Sequence, residues 1–142
     1  MIIEKAGINK GLQYVIAFKE NLGFRMGYVA VPLDLEINER ELYCHGGITY
    51  TGGNTGYPIK TDDDVSWIGF DCGHDGDGQD IEKMKEILND ENTDRSLKQV
   101  LTSQLQMLES FGTSDPVRDI EYVENECKNL IKQVNKLSKK YI

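Results

Sequence analysis

The run Val65-Ser66-Trp67-Ile68-Gly69-Phe70-Asp71-Cys72-Gly73-His74-Asp75-Gly76-Asp77-Gly78-Gln79-Asp80 is where the chain changes character. Val65 to Phe70 is β-branched, aromatic and apolar, the composition of a buried strand. From Asp71 the chain becomes a glycine-hinged loop carrying four aspartates, a cysteine and a histidine. After Asp77 the apolar period is that of a helix. Ile81, Met84, Ile87 and Leu88 share one face, and Asp80 and Glu82 occupy the first turn, where the helix dipole favours negative charge. Strands therefore precede this run and helices follow it.

Toward the N-terminus, Leu12 to Phe18 and Phe24 to Val31 read as a hairpin across the turn-like cluster Lys19 to Gly23, the second strand closed by Pro32. Ile48 to Thr51 reads as a third strand and Val65 to Phe70 as a fourth; Asp34 to Glu41 reads as a loop or short helical turn. Toward the C-terminus, a helix opening near Thr93 or Asp94 carries Leu97, Val100, Leu101, Leu105, Leu108 and Phe111, with Gly112 placed for a left-handed cap. The segment Asn89 to Thr113 has the look of an insertion. The last helix, with Asp115 as cap and Pro116 at its first position, carries Ile120, Val123, Cys127, Leu130, Val134, Leu137 and Tyr141 at alternating steps of three and four. Such a seam serves either packing on a sheet or self-association, and it predicts a homo-oligomer formed through the Ile120–Tyr141 helix. Together these elements predict an α+β domain over 1–142. An antiparallel sheet of about four strands fills residues 1–72, and helices over 79–142 pack on one face.

Composition bounds the function. The 142 residues are 39% hydrophobic and 28% charged, the profile of a globular chain. The formal charge of −8 is uneven. Between Asp62 and Glu82 there are acids and no Lys or Arg, whereas Lys128, Lys132, Lys136, Lys139 and Lys140 follow Glu126. Duplex nucleic acid, whose binding needs a large basic face, is a poor partner. No apolar run approaches a membrane span, and three cysteines without an export signal point to reduced thiols in the cytosol.

Both histidines and two of the cysteines fall in two loops, Cys44-His45-Gly46-Gly47 and the Asp71–Asp80 run. Several chemistries fit those residue types. Asp71, Asp75, Asp77 and Glu82 match part of a calcium loop, but Gly73 and Gly78 stand where a ligand and an apolar residue belong, and a strand precedes it. A looser divalent-cation site would use Asp71, Asp75 and Asp77. Zinc would use Cys44 or His45 with Cys72 and His74, without any Cys-x-x-Cys element. A Cys72 nucleophile paired with either histidine is a further option. The structural alternative has the glycines supplying turns and the aspartates capping amides. It accounts less well for the gathering of His45, Thr49, Tyr50, Trp67, Asp71 and His74. Aromatic faces with a few polar groups suit a nucleotide-like ligand, with Gly46 and Gly47 shaping the turn and Arg25 and Tyr28 supplying a phosphate contact and a stacking surface.

The strings Gly27 to Pro32, His45-Gly46-Gly47-Ile48-Thr49-Tyr50, Trp67 to Asp77 and Asp119 to Leu130 resemble landmarks of a family of small phage and prophage proteins. The resemblance implies a viral accessory protein in a bacterial cytosol that counters host defence, and it carries over no catalytic residue. Three functions follow as expectations: sequestration of a nucleotide-derived immune signal without turnover, metal-dependent hydrolysis of that signal, or acidic inhibition of a nucleic-acid-binding defence effector such as a CRISPR nuclease.

Overall fold

In the structure, a computed structural model, residues 1–112 and 114–140 are described, together with all side chains in those spans except Lys139 and Lys140. Five strands form one antiparallel sheet: β1 (Ile2–Asn9), β2 (Leu12–Lys19), β3 (Phe24–Pro32), β4 (Tyr50–Gly53) and β5 (Val65–Asp71), in the order β1-β2-β3-β5-β4. Three helices follow: α1 (Ile81–Leu88), α2 (Arg95–Phe111) and α3 (Ile120–Lys140). The expected α+β class and the Leu12–Val31 hairpin are both present, the latter with Tyr14 opposite Val29 and Lys19 opposite Phe24. Gly23 closes that hairpin at φ 80°.

The strand missing from the sequence reading is β1. As an edge strand it mixes exposed and half-buried positions with no fully buried residue, so it lacks the apolar density by which β2 and β5 announce themselves. The third strand is also displaced, running Tyr50–Gly53 rather than Ile48–Thr51. Between β3 and β4 only a single 3-10 turn, Glu39–Glu41, is regular.

Alternation along β2 assigns the two faces of the sheet. Leu12, Tyr14 and Ile16 join the cluster beneath α3, and Phe18, two residues on, joins α1 and α2 through Met84, Ile87, Leu101 and Leu105. Val15 and Ala17 point the other way, into a helix-free layer with Met26, Tyr28, Ala30 and Trp67, packed by Tyr50 and Ile59. Helices thus gather on one face. Gly27 permits the close approach of α3: a Cβ there would stand 2.5 Å from the Phe70 ring and 2.8 Å from Cys127 Sγ.

The α3 seam is consumed by this packing. Val123, Cys127, Leu130, Ile131 and Val134 are fully buried within the chain, which corrects the expectation that the Ile120–Tyr141 helix offers its stripe to a second copy. Tyr141 and Thr113 lie outside the described residues. The start of α3 differs too. Asp119, not Asp115, caps it, accepting from the Tyr122 amide at 2.8 Å. Asp115 and Pro116 instead run beside the acidic loop, where the Gly78 amide donates to the Pro116 carbonyl at 2.9 Å. Gly78 makes this contact possible, because a Cβ would sit 2.2 Å from the Asp115 carbonyl oxygen. Gly112 is extended (φ −61°, ψ 154°), not left-handed. Asp80 and Asp94 cap α1 and α2 by accepting from the Lys83 and Leu97 amides.

Candidate functional site

The Cys44–Gly47 turn and the Asp71–Asp80 loop meet above the end of β5, with the first turns of α3 closing a third side. His45 is the junction. Its Nε2 lies 2.8 Å from Asp77 Oδ2 and its Nδ1 2.7 Å from the Tyr122 hydroxyl, while its amide donates to Glu126 at 2.9 Å. An ionised Asp77 places the proton of the neutral ring on Nε2, leaving Nδ1 to accept from Tyr122. The two imidazole rings stand 6.4 Å apart. Gly46, at φ 68°, lies directly against His74: a Cβ there would be 2.4 Å from His74 Nε2. Glycine at this position therefore answers both a left-handed backbone and a close contact.

Asp77 is the buried anchor, its side chain 3% exposed. Oδ1 accepts from Arg118 Nε at 3.0 Å, and Oδ2 accepts from the His74 amide at 3.1 Å in addition to facing His45. Burial pushes its pKa up, and the hydrogen bonds from His45 and Arg118 outweigh that, so the carboxyl sits below its ordinary range. Arg118 in turn stacks over the Tyr122 ring, 4.8 Å from its centroid. Burial first, and Glu126 second, raise the pKa of Tyr122, so its hydroxyl is held protonated as a donor.

The outer half of the cluster is accessible. His74, with 40% of its side chain exposed, pairs with Asp71 at 3.2 Å, and Asp71 also accepts from Thr49 Oγ1 at 3.1 Å and the Gly73 amide at 3.0 Å. Beside it opens a groove of ≈ 260 Å³ lined by Leu22, Phe24, Gly73, His74, Asp77 and Gln79. Phe24 forms an aromatic wall against Gly73, where a Cβ would stand 2.7 Å from its ring.

Of the predicted site residues, His45, Gly46, Asp71 and His74 come together, Thr49 reaches them through Asp71, and Gly47 completes the turn. Tyr28, Tyr50 and Trp67 do not. They lie on the helix-free face, where Tyr28 meets Tyr50 and Tyr57 edge-on at 5.5 Å and its hydroxyl is 2.6 Å from that of Tyr57. Arg25 is buried and paired with Glu4 at 2.7 Å and Asp80 at 2.8 Å, leaving no guanidinium for a phosphate. Asp71, Asp75 and Asp77 do not surround a common point: Asp77 has both oxygens committed, and Asp75 is exposed. Among the described residues no group of three or more His, Cys, Asp or Glu is arranged to hold a metal ion. The cysteines are free, and burial pushes the Cys72 thiol up to about 12, helped by Asp77 and Asp71, which works against a thiolate nucleophile.

Arg118, Tyr122 and Glu126 escaped the sequence reading. Their signal was present: Tyr122 and Glu126 stand four apart, one position before Val123 and Cys127, a polar row bordering the buried stripe.

Compared with known proteins, the chain matches no family model, no curated sequence and no solved structure. Among the described residues no helix is long and apolar enough to cross a membrane.

Proposed function

We propose that this chain is a phage-type accessory protein that captures a nucleotide-derived host immune signal in the groove beside His74, holding it without turnover. The observation that carries the reading is the junction itself: the rare side chains of two distant loops meet at His45 and Asp77, and an open groove borders them. The buried half of the cluster is fixed by its own hydrogen bonds, so it presents a rigid rim at little ordering cost. At ≈ 260 Å³ the groove falls just below the roughly 300–1,000 Å³ of typical small-molecule pockets, room for a nucleobase and its sugar. Phe24 and Leu22 offer apolar contact to the base. His74 and Gln79 offer donors and acceptors to its edge and to sugar hydroxyls, with Asp71 orienting the His74 ring. Asp71, Asp75 and Asp77 make the surroundings acidic and Arg118 is committed to Asp77, so the phosphates of the ligand point outward to water.

A second reading, turnover of the same signal, is favoured by the hydrogen-bond chain from Asp77 through His45 to Tyr122, which has the order of an acid–base relay. One experiment separates the two. The protein is incubated with cyclic dinucleotides and with cyclic ADP-ribose isomers, heat-denatured, and the supernatant analysed. Intact ligand in the supernatant, together with a raised melting temperature lost in His74→Ala, supports capture; a converted product supports turnover. If no ligand shifts the melting temperature, both nucleotide readings fail and inhibition of a protein effector takes their place.

A further inference from the structure

Helix α2 carries two apolar rows, and the sheet uses only one of them. Leu97, Leu101, Leu105 and Leu108 pack inward with Phe18, Met84 and Ile87. Beside them runs a row left open to solvent. Val100, Met107 and Phe111, spaced by seven and four and therefore on one flank of the helix, are 42%, 51% and 83% exposed. Exposed Ser96, Ser103 and Ser110, seven apart, border the row, and no charged residue interrupts it. Single apolar residues scattered over a surface need no explanation, but an aligned, charge-free row along a 17-residue helix does.

The charges within Arg95–Phe111 also run against the helix's own dipole. Its only cations, Arg95 and Lys98, stand in its first four residues, and its only acid, Glu109, stands in its last turn, where the dipole favours the opposite signs. Glu109 has one long contact, to Lys85 at 3.7 Å. A second α2 laid antiparallel reverses the mismatch: each Arg95–Lys98 end then lies at the carbonyl end of the neighbouring helix, and each Glu109 near its amide end. The open row is self-complementary in that same direction. About a two-fold axis between Ser103 and Gln104, Val100 stands level with the second copy's Met107, and Phe111 stands level with its Ser96, a large side chain over a small one. A parallel pair would instead set Phe111 on Phe111 and bring the two cationic ends together.

We infer that α2 is the seam of a homodimer, in which two copies of this chain pack antiparallel through Val100, Met107 and Phe111. The homo-oligomer that the sequence places on α3 moves to the helix whose apolar row is still free. At ~1.5 Å per residue α2 is 25 Å long, so a single helix pair falls at the low end of stable interfaces and the dimer dissociates in the micromolar range. None of these residues lines the groove beside His74, so the dimer stands or falls apart from nucleotide capture.

Analytical ultracentrifugation of the full chain, from low to high micromolar concentration, reads the assembly directly. The expected result is a monomer–dimer equilibrium. Val100→Lys and Met107→Glu, each at an exposed position, should keep the parent's melting temperature under conditions where the parent is monomeric and weaken dimerisation about tenfold. Phe111→Ser, at the most exposed of the three positions, gives the same readout with the least disturbance of the fold. Combining Val100→Lys with Met107→Glu sets opposite charges level with each other across an antiparallel seam, whereas a parallel seam would set like against like. The double variant should therefore dimerise within about threefold of the parent. A monomer at every concentration overturns the proposal. So does a dimer as tight in the single variants as in the parent, or a double variant no tighter than the singles.

Discussion

Two ionic clusters sit at one end of the sheet, and they resolve in opposite ways. Around Arg25 every charge is answered inside the protein: Glu4 takes Nε and Nη2, Asp80 takes Nη1, and the Arg118 carbonyl accepts from Nη1 at 3.3 Å. That cluster ties β1, β3 and the cap of α1 together and offers nothing outward. Around Asp77 the inner groups are equally committed, yet His74 and Asp71 remain open to water beside a groove. Both clusters share the strap before α3, since Arg118 gives its carbonyl to one and its guanidinium to the other. The lesson is that charge and proximity do not distinguish a site from a brace. What distinguishes them is whether any member is left facing solvent.

The contrast can be broken from either side. Arg25→Met removes the cation and leaves the buried Glu4 carboxylate and the half-buried Asp80 without it, so urea unfolding should show a loss of about 3–5 kcal/mol; a loss under ~1 kcal/mol would mean the cluster is not a brace. Gly46→Ala forces a side chain into a left-handed position and against His74, with an expected cost of about 1–3 kcal/mol and displaced His74 ring resonances in NMR spectra. Tyr122→Phe deletes one hydrogen bond to His45 and should cost about 1 kcal/mol, read from the same urea curves.

Acid titration probes Asp77 directly. Its folded pKa lies below the ordinary 3.8, so the unfolded chain binds the proton first as pH falls. The stability it contributes is fully present above roughly pH 5 and is lost as pH drops through the depressed folded value. Asp77→Asn should therefore flatten the acid limb of a stability–pH curve, and an unchanged slope would show that the carboxylate is not held by His45 and Arg118. The smallest expected change is His74→Ala, within about 0.5 kcal/mol of the parent because the side chain is exposed. A large loss there would make the second cluster a brace like the first.

How much of this was legible in the sequence follows from where each signal resides. β2, β3 and β5 were readable because buried strands carry dense apolar runs, and α1 and α2 because Asp80 and Asp94 sit before clear helical stripes. β1 was not, since an edge strand has no such density. The seam of α3 was correctly periodic, but period alone does not say what fills the groove facing it; Gly27, which admits Cys127, was the missing hint. The meeting of His45 with His74 followed from their rarity. Arg25 and the tyrosines were misplaced: strand alternation alone sends Arg25 and Tyr28, three apart on one strand, to opposite faces, and only the packing shows which face meets the helices. Asp115 and Pro116 fit a helix start on composition, and the space beside Gly78 draws them into a strap instead.

The bond from His45 to Tyr122 spans 77 positions of the chain. A contact of such long range closes late in folding, since the entropy of so large a loop must be overcome first. That contact should therefore be absent from any chain that ends before α3. Its appearance and the completion of the native state would be a single kinetic event, and the ring signals of His45 would serve as a reporter for both.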